Sequence, residues 1–266
     1  MPRRGSREFL QAFDWWLAVP LALYALVVTV MLAAVAGSLT PAAISRAFRE
    51  SEVLFAVWLS LVTSGTSCVL AVLVAVPAGY VLARRRFPGR RLADALMDLP
   101  IMLPPLVLGL AVLIFFNTPP GRLLDRSIGF VYTWRGIVLV QFIAGTAYAV
   151  RVMKSAFEQS PADYEHVAMV LGADRARAFL LVSLPMVRRA LAAATVIAWA
   201  HIFGLFGPVI MIAGTMRHKT EILPTTVFLE ASVGRIDVAL VIGACMIVIS
   251  VVMLMLVKRL GSEGSS

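Results

Sequence analysis

Long runs of residues without a charged side chain recur along the whole of this sequence. A bilayer core about 30 Å thick needs about 20 apolar residues of α-helix, because each residue adds about 1.5 Å. The runs predict six transmembrane helices, at about 16–37, 55–82, 98–116, 136–153, 190–213 and 237–257. We therefore expect an all-α integral membrane protein in which residues 1–266 form a single membrane domain.

The composition agrees with this class. Hydrophobic residues make up 60% of the chain, against about 45–50% apolar residues in a soluble domain. The net charge of +9 could indicate a nucleic-acid partner, but the basic residues flank the apolar runs and form no stripe among aromatic side chains. We therefore expect no nucleic acid.

Two of the predicted spans are irregular. Only fifteen uncharged residues separate Arg135 from Arg151, and the apolar stems of both arginines would extend this fourth span into the interface. The fifth span is interrupted near Gly204, Gly207 and Pro208, which predicts either a broken helix at a pathway or close helix packing.

The basic residues also predict an orientation. Sixteen of the 24 lysines and arginines fall in the two termini and in the loops after spans two and four, and eight fall in the other three loops. Cytoplasmic loops carry the excess of Lys and Arg. This places the N- and C-termini in the cytoplasm, together with the long loop at 160–185 between spans four and five.

That loop contains a segment that is helical in pattern but too polar for lipid. Ser160 and Asp163 have capping-box spacing, and Pro161 would occupy the first helical position. The predicted helix offers a narrow apolar face with Val167, Val170 and Leu171, and it ends at Gly172, which favours a left-handed cap. At about eleven residues it is too short to cross a bilayer.

A second helix should follow in the same loop. Asp174 is placed to cap it, and Pro185 is predicted to break it.

At these residues the chain resembles the cytoplasmic motif of ABC importer permeases. That motif begins Glu-Ala-Ala, with a glycine six residues after the glutamate. Here His166 stands six before Gly172, and Glu165 comes one residue earlier, so either residue could take the role of the motif glutamate. The resemblance implies that a short helix docks on an ATP-hydrolysing subunit. It assigns ATPase coupling to Glu165, His166, Val167, Ala168, Val170, Gly172, Ala173, Leu184 and Pro185.

Three further stretches resemble the molybdate, tungstate and sulfate branch of these permeases. They are Leu103–Gly109, Thr133–Val138 and Gly204–Gly214. The branch commonly has an acidic residue between the glycine and the aromatic residue of the last stretch, where this chain has Leu205. Related importers of iron, thiamine or polyamines share much of this frame, so these solutes are alternatives.

The resemblance implies a permease subunit in the inner membrane of a prokaryote, with no covalent chemistry of its own. Its expected partners are an ATP-binding subunit that holds ATP and magnesium, an extracytoplasmic solute-binding protein and a second copy of the chain. No glycine-rich phosphate loop occurs in the sequence. We therefore expect no cofactor on this chain and no enzyme activity.

Histidine, cysteine and glycine residues supply the remaining candidates for a functional site. The three histidines lie far apart, and no cysteine–histidine cluster occurs, which predicts no metal site. His201, Gly204, Gly207 and Pro208 are candidates for the translocation path, with ordinary packing as the alternative for each. A secondary carrier and a membrane-embedded enzyme remain as rival classes, although no catalytic set converges on one span.

Overall fold

The computed structural model describes residues 4–262, and it places side chains from residue 16 to residue 256 except at Leu17. All regular structure in this range is helical. The predictions for the extreme N-terminus and for residues 263–266 lie outside the described residues. Four unbroken stretches are long and apolar enough to cross a membrane: Ala18–Ser38, Ser51–Arg84, Trp134–Gln159 and Ile236–Leu256.

Two bent helix pairs could bring the number of spans to six. Arg90–Met102 and Pro105–Asn117 meet at 115°, and Arg175–Met186 and Arg188–Phe203 meet at 71°. Each pair forms either a broken span or a re-entrant loop. Residues 4–262 therefore contain between four and six spans.

The helices are numbered in chain order, with those of the bent pairs and the short helices included. They are α1 (Arg4–Ser38), α2 (Pro41–Arg49), α3 (Ser51–Arg84), α4 (Arg90–Met102), α5 (Pro105–Asn117), α6 (Pro119–Ile128), α7 (Trp134–Gln159), α8 (Asp163–Val170), α9 (Arg175–Ala178), α10 (Leu184–Met186), α11 (Arg188–Phe203), α12 (Gly207–Ala213), α13 (Leu223–Ser232) and α14 (Ile236–Ser262). A π-helical turn, Phe179–Ser183, joins α9 to α10.

Helix α7 lies at the centre of the bundle, packed against α3 and α11. Small residues let these backbones approach closely, as is usual between membrane helices. A Cβ atom built on Gly79 of α3 would lie 2.8 Å from the Cβ atom of Met153, and one on Gly145 would lie 2.3 Å from Ile202 Cδ1. The fourth predicted span is thus the most buried of the four unbroken candidates, and its helix extends past Arg135 and Arg151.

Buried polar side chains join the same three helices. Ser67 of α3 donates to the carbonyl oxygen of Val138 at 3.2 Å and lies 3.2 Å from Gln141 Oε1. The Gln141 amide in turn donates to the carbonyl oxygen of Ile202 at 3.4 Å. These groups have no water to bond in an apolar interior, so their mutual satisfaction fixes how the helices sit against one another.

Two predicted spans differ from simple helices. The third, expected at 98–116, is divided at Leu103 and Pro104. Leu103, which precedes Pro104, has an extended backbone, and Pro105 begins a new helix. The first, expected at 16–37, forms a helix, but none of its apolar window is buried within the chain. Lipid or another subunit must cover its apolar surface.

The predicted interruption of the fifth span is confirmed. Helix α11 ends at Phe203 and α12 begins at Gly207, which leaves Gly204 to Phe206 outside regular helix. The helix that forms a bent pair with α11, however, is the preceding stretch Arg175–Met186 and not α12. The predicted boundaries at 190–213 therefore do not match that pair.

The two helix breaks are brought together by glycine packing. A Cβ atom on Gly109 of α5 would lie only 2.6 Å from Pro208 Cα, and one on Gly207 would lie 3.3 Å from the Leu106 backbone nitrogen. The start of α5 therefore rests directly on the start of α12.

We predict that Gly109→Ala destabilises the protein by about 1–3 kcal/mol, the usual cost of overpacking. Its new methyl group would meet backbone atoms, which cannot rotate away. The matched control is Gly65→Ala, also within a helix, where no atom lies within 4 Å of the new methyl group. Thermal unfolding in mild detergent checks this: Gly109→Ala should melt lower than the wild type and Gly65→Ala should not. Equal melting temperatures for the two variants would contradict the packing argument.

Candidate coupling segment and translocation path

The predicted capping box at the start of the 160–185 segment is wrong. Ser160 terminates α7, and its carbonyl oxygen accepts a 2.7 Å hydrogen bond from Arg84. Helix α8 begins later, at Asp163, and its cap residue Ala162 has no side chain able to bond a free amide. The observed helix has eight residues, shorter than predicted, because Pro161 and Ala162 lie in the turn between α7 and α8 and Leu171 is already the cap residue at the other end.

The end of α8 agrees with the prediction. Gly172 has φ +95°, a left-handed conformation. The amide of Gly172 donates to the carbonyl oxygen of Met169 at 3.1 Å, and that of Ala173 donates to Ala168 at 3.0 Å. This pair of hydrogen bonds is the Schellman motif, which satisfies carbonyl groups that would otherwise be free at the helix end. Gly172 and Ala173 thus fix the angle at which the chain leaves α8.

The following stretch is confirmed in part. Asp174 caps α9 by accepting from the Arg177 amide at 2.7 Å, as predicted. Pro185 does not end the helical path, which continues to Met186. The chain bends by 71° immediately afterwards, at Val187. Pro185 lacks an N–H, and it lies two residues after the end of the π-helical turn at Ser183.

The apolar face of α8 points away from the rest of the chain. Val167 is 56% exposed and Val170 is 86% exposed, and the adjoining Leu171 is 81% exposed. Tyr164 on the same helix is also exposed. Single exposed apolar residues are ordinary, but four on one short helix form a surface that is typical of protein contacts. We call Tyr164, Val167, Val170 and Leu171 the apolar face of α8.

Glu165 points in the opposite direction, toward the bundle. It is only 8% exposed, and its carboxylate accepts a 2.8 Å hydrogen bond from Tyr80. The Nε atom of Arg84 lies 3.4 Å from its other oxygen. The Tyr80 ring packs edge-on against Phe157 and Phe179, at centroid separations of 5.4 and 4.7 Å. These contacts attach α8 to α3, α7 and the π-helical turn.

Sequence reasoning missed Tyr80 and Arg84. They stand four residues apart near the end of a predicted span, on one face of a helix, and Arg84 opens a run of three arginines. That spacing was the available signal. Of the other predicted coupling residues, His166 and Pro185 are exposed, and Ala168 and Leu184 are half-buried.

The four path candidates lie on both sides of the α11–α12 break. His201 is half-buried, with its ring 4.2 Å from that of Tyr148. Gly204 is exposed at the end of α11, while Gly207 and Pro208 are buried against α5. Packing therefore accounts for the last two, and only His201 and Gly204 keep accessible surface.

Ionic contacts bind several elements together at the other end of α3, about 50 Å from Arg84 along a 34-residue helix. The nearly buried Glu230 lies 2.9 Å from Arg217 and 3.0 Å from Arg235. Arg217 also lies 3.7 Å from Glu52, and Arg235 bonds to Glu50. We call these five residues the Glu230 cluster. Arg217 is thus part of an ionic network.

Glu221 lies beside this cluster without a partner of its own. It is fully buried, and neither carboxylate oxygen has a hydrogen bond within the described residues. Burial raises the pKa of the Glu221 carboxyl above its ordinary value; Arg217 and the nearby Thr226 hydroxyl act in the opposite direction, and the carboxylates of Glu230 and Glu52 raise it further. Neither Glu221 nor Glu230 was singled out from the sequence, because both stand in polar connecting stretches.

Together, the fold and these sites define a multi-pass membrane protein with broken helices and a short helix that exposes an apolar face. Residues 75–262, more than half of the chain, match the family described as binding-protein-dependent transport system inner membrane component. The chain therefore belongs to this family of ABC importer permeases, and it is a multi-pass inner-membrane protein.

Two relatives specify the branch. The sulfate transport system permease protein CysT of Salmonella typhimurium is 34% identical over 187 residues, which cover 69% of this chain and 68% of the relative. The molybdate/tungstate transport system permease protein WtpB of Thermococcus kodakarensis is 32% identical over 168 residues, which cover 63% of this chain and 64% of the relative. The resemblance to the sulfate, molybdate and tungstate branch is confirmed.

The fold is also found in solved transporters. A chain in the crystal structure of a bacterial alginate ABC transporter, in complex with its alginate pentasaccharide-bound periplasmic protein, superposes with a TM-score of 0.77. The match covers 98% of this chain and 96% of that one at 15% identity. At this identity the likeness establishes the shared fold alone.

We predict that Glu221→Gln stabilises the protein at pH 8 and that the gain shrinks as the pH falls toward 5. A carboxyl with a raised folded-state pKa keeps its proton after the unfolded chain has lost it, so the wild type loses stability as pH rises from the ordinary glutamate pKa up to the raised pKa of the folded state. The control is Glu230→Gln, which removes a carboxylate that two arginines contact and should lower stability at pH 8. Thermal unfolding across this pH range measures both. A Glu221→Gln gain that does not vary with pH would be evidence against a buried neutral carboxyl.

Proposed function

We propose that this chain forms half of the translocation path of an ATP-driven importer for an oxyanion such as molybdate, tungstate or sulfate. Its membership of the permease family and the substrates named for its relatives support the substrate class. Specificity would come first from an extracytoplasmic binding protein that delivers the anion. Two copies of the chain would enclose the path in the inner membrane of a prokaryote, with both termini in the cytoplasm.

The observation that carries the ATP-driven part of the proposal is the uncovered apolar face of α8. A short helix that exposes large apolar side chains needs a covering partner. A separate ATP-binding subunit, which would hold ATP and magnesium, is the partner we propose. The helix is suited to transmit force, since the Glu165 contacts attach it to the bundle and the Gly172 cap fixes its exit.

Transport requires no covalent chemistry on this chain. Nucleotide binding would draw two partner subunits together and move the docked α8 helices, and the bundle would switch between inward-facing and outward-facing arrangements. All nine coupling residues named from the sequence keep that role in the proposal, with Glu165 and Leu184 serving to hold the segment to the bundle. We propose that Glu165, not His166, corresponds to the motif glutamate, but that its carboxylate is used internally.

We place the path beside the two helix breaks. Irregular backbone at membrane depth is tolerated where protein buries it or where it lines a cavity, and broken helices mark the binding sites of many transporters. His201 and Gly204 would face the anion, while Gly207 and Pro208 would hold the break against α5 through the contact at Gly109.

Other solutes in the related importers, such as iron, thiamine or polyamines, are the alternatives within this class. A secondary carrier is the alternative outside it. Ligand titration of the proposed extracytoplasmic binding protein, with molybdate, tungstate and sulfate as probes, tests the substrate. Uptake into proteoliposomes that contain the permease with the proposed ATP-binding subunit tests the energy source. Uptake that proceeds equally without ATP would rule out an ATP-driven importer.

We predict that Gly172→Val separates ATP hydrolysis from uptake. A β-branched residue at φ +95° is strained by about 1–2 kcal/mol, which should alter the angle of α8 while leaving the protein in the membrane. The matched control is Gly234→Val, which places the same strain at φ +83° at the other end of the bundle. The measurements are ATPase activity and uptake in proteoliposomes. Wild-type coupling of hydrolysis to uptake in Gly172→Val, or equal losses of uptake in the two variants, would count against the proposal that α8 transmits force.

We predict that a single cysteine at Val167 or Val170 crosslinks to the ATP-binding subunit through a short bifunctional reagent. Both positions are exposed on the apolar face of α8. Val233→Cys, 65% exposed at the other end of the bundle, provides the control and should give no crosslink. Products are read as a shifted band on a denaturing gel, with both subunits identified by mass spectrometry. Failure at both α8 positions would remove the case for docking there.

A further inference from the structure

A basic pocket lies beside α8, on the side that does not carry the exposed valines. Its volume is about 290 Å³. Three of its lining residues, Tyr80, Arg84 and Arg85, come from the end of α3 and the residue that follows it. The other six, Ala162, Glu165, His166, Met169, Arg175 and Ala178, belong to the 160–185 segment. The pocket is therefore formed mainly by the 160–185 segment, which we propose couples ATP hydrolysis to transport.

The pocket carries more positive than negative charge. Three arginines line it, against the single carboxylate of Glu165. Arg84 is already engaged, by Ser160 and by Glu165. Arg85 and Arg175 are exposed, and no carboxylate of the described residues lies within 4 Å of either guanidinium group. Two guanidinium groups at one pocket thus lack a counter-charge.

The carboxylate of Glu165 is not free to meet a partner. It is buried against Tyr80 and Arg84, and withdrawing it would leave the Arg84 charge poorly compensated in a low-dielectric site. A partner subunit that approaches α8 therefore meets uncompensated positive charge. The complementary group on that partner is an acidic one.

We infer that the pocket receives an aspartate or glutamate side chain of the ATP-binding subunit, which pairs with Arg85 and Arg175. This inference rests on the proposed function, since it specifies the chemistry of the same docking contact. His166 and Met169 line the pocket, while Val167 and Val170, on the same two turns, belong to the apolar face. One partner surface can therefore cover the face and insert a carboxylate into the pocket, where arginine favours paired, bidentate contacts.

Arg85→Gln/Arg175→Gln tests the inference in the full-length permease, reconstituted in nanodiscs and offered the proposed ATP-binding subunit. The dissociation constant of that subunit, measured by biolayer interferometry at low and high salt, should rise about tenfold at low salt. Its dependence on salt should weaken, because the screened charges are gone. Arg177→Gln is the matched control, since Arg177 is 71% exposed, pairs with Asp174 in its own helix and does not line the pocket. Arg177→Gln should leave the dissociation constant and its salt dependence almost unchanged.

Two further arms separate the possible outcomes. If the pocket binds an anionic lipid headgroup instead, the effect of the double variant should disappear in nanodiscs of phosphatidylcholine alone, and that result would overturn the inference. Val170→Asp tests the docking itself, by placing a charge on the apolar face. Loss of binding in Val170→Asp, with Arg85→Gln/Arg175→Gln no weaker than Arg177→Gln, would sink the inference but leave the proposed function standing. Normal binding by Val170→Asp would instead remove the docking on which both depend.

Discussion

The buried carboxylate of Glu165 connects the membrane-embedded part of this chain to the segment outside it. Through Tyr80 and Arg84 it holds α8 against the end of α3, and α3 is packed along the central helix α7. A charge can be this buried only when it is paired and hydrogen-bonded, so the contact is specific in geometry. The exposed valines of α8 depend on it for their position, because the carboxylate and the valines occupy opposite faces of one two-turn helix. A displacement of either face must then be felt by the other.

Backbone contacts at glycines and buried hydrogen bonds determine how the other helices pack in the bundle. Glycines at 79 and 145 bring α3 and α11 onto α7, and Gly109 brings α5 onto α12. In lipid, apolar side chains gain little by leaving their surroundings, so contact between backbones and bonds such as that from Gln141 to Ile202 take over the role that the hydrophobic effect has in water. The same packing rests the start of α5 on the start of α12, next to the two helix breaks.

Much of this could be predicted locally. The cap at Gly172, the cap at Asp174 and the break after Phe203 all follow from the preferences of single residues, and all three are confirmed. The capping box at Ser160 was wrong because the same residue can equally end the preceding helix, and the length of α7 decided between the two. The bend at Leu103 was underestimated because two successive prolines start a helix in a direction that only its packing partner determines. The roles of Tyr80, Arg84 and Glu221 were missed because each depends on residues that are 70 or more positions away or on burial in a loop.

The sequence alone determined that this chain is helical, lies in a membrane and carries a short polar segment between apolar runs, because hydropathy and capping act over a few neighbouring residues. Its motifs also placed it among the permeases, which the family match confirms. Only the tertiary structure decided which face of α8 is free and which is held, since that choice depends on Arg84 and on Tyr80, which the sequence places 85 positions from Glu165. It also decided that Arg85 and Arg175 share one pocket and that Glu221 is buried without a salt bridge among the described residues. Distances between elements remote in sequence are set by packing, and no local pattern encodes them.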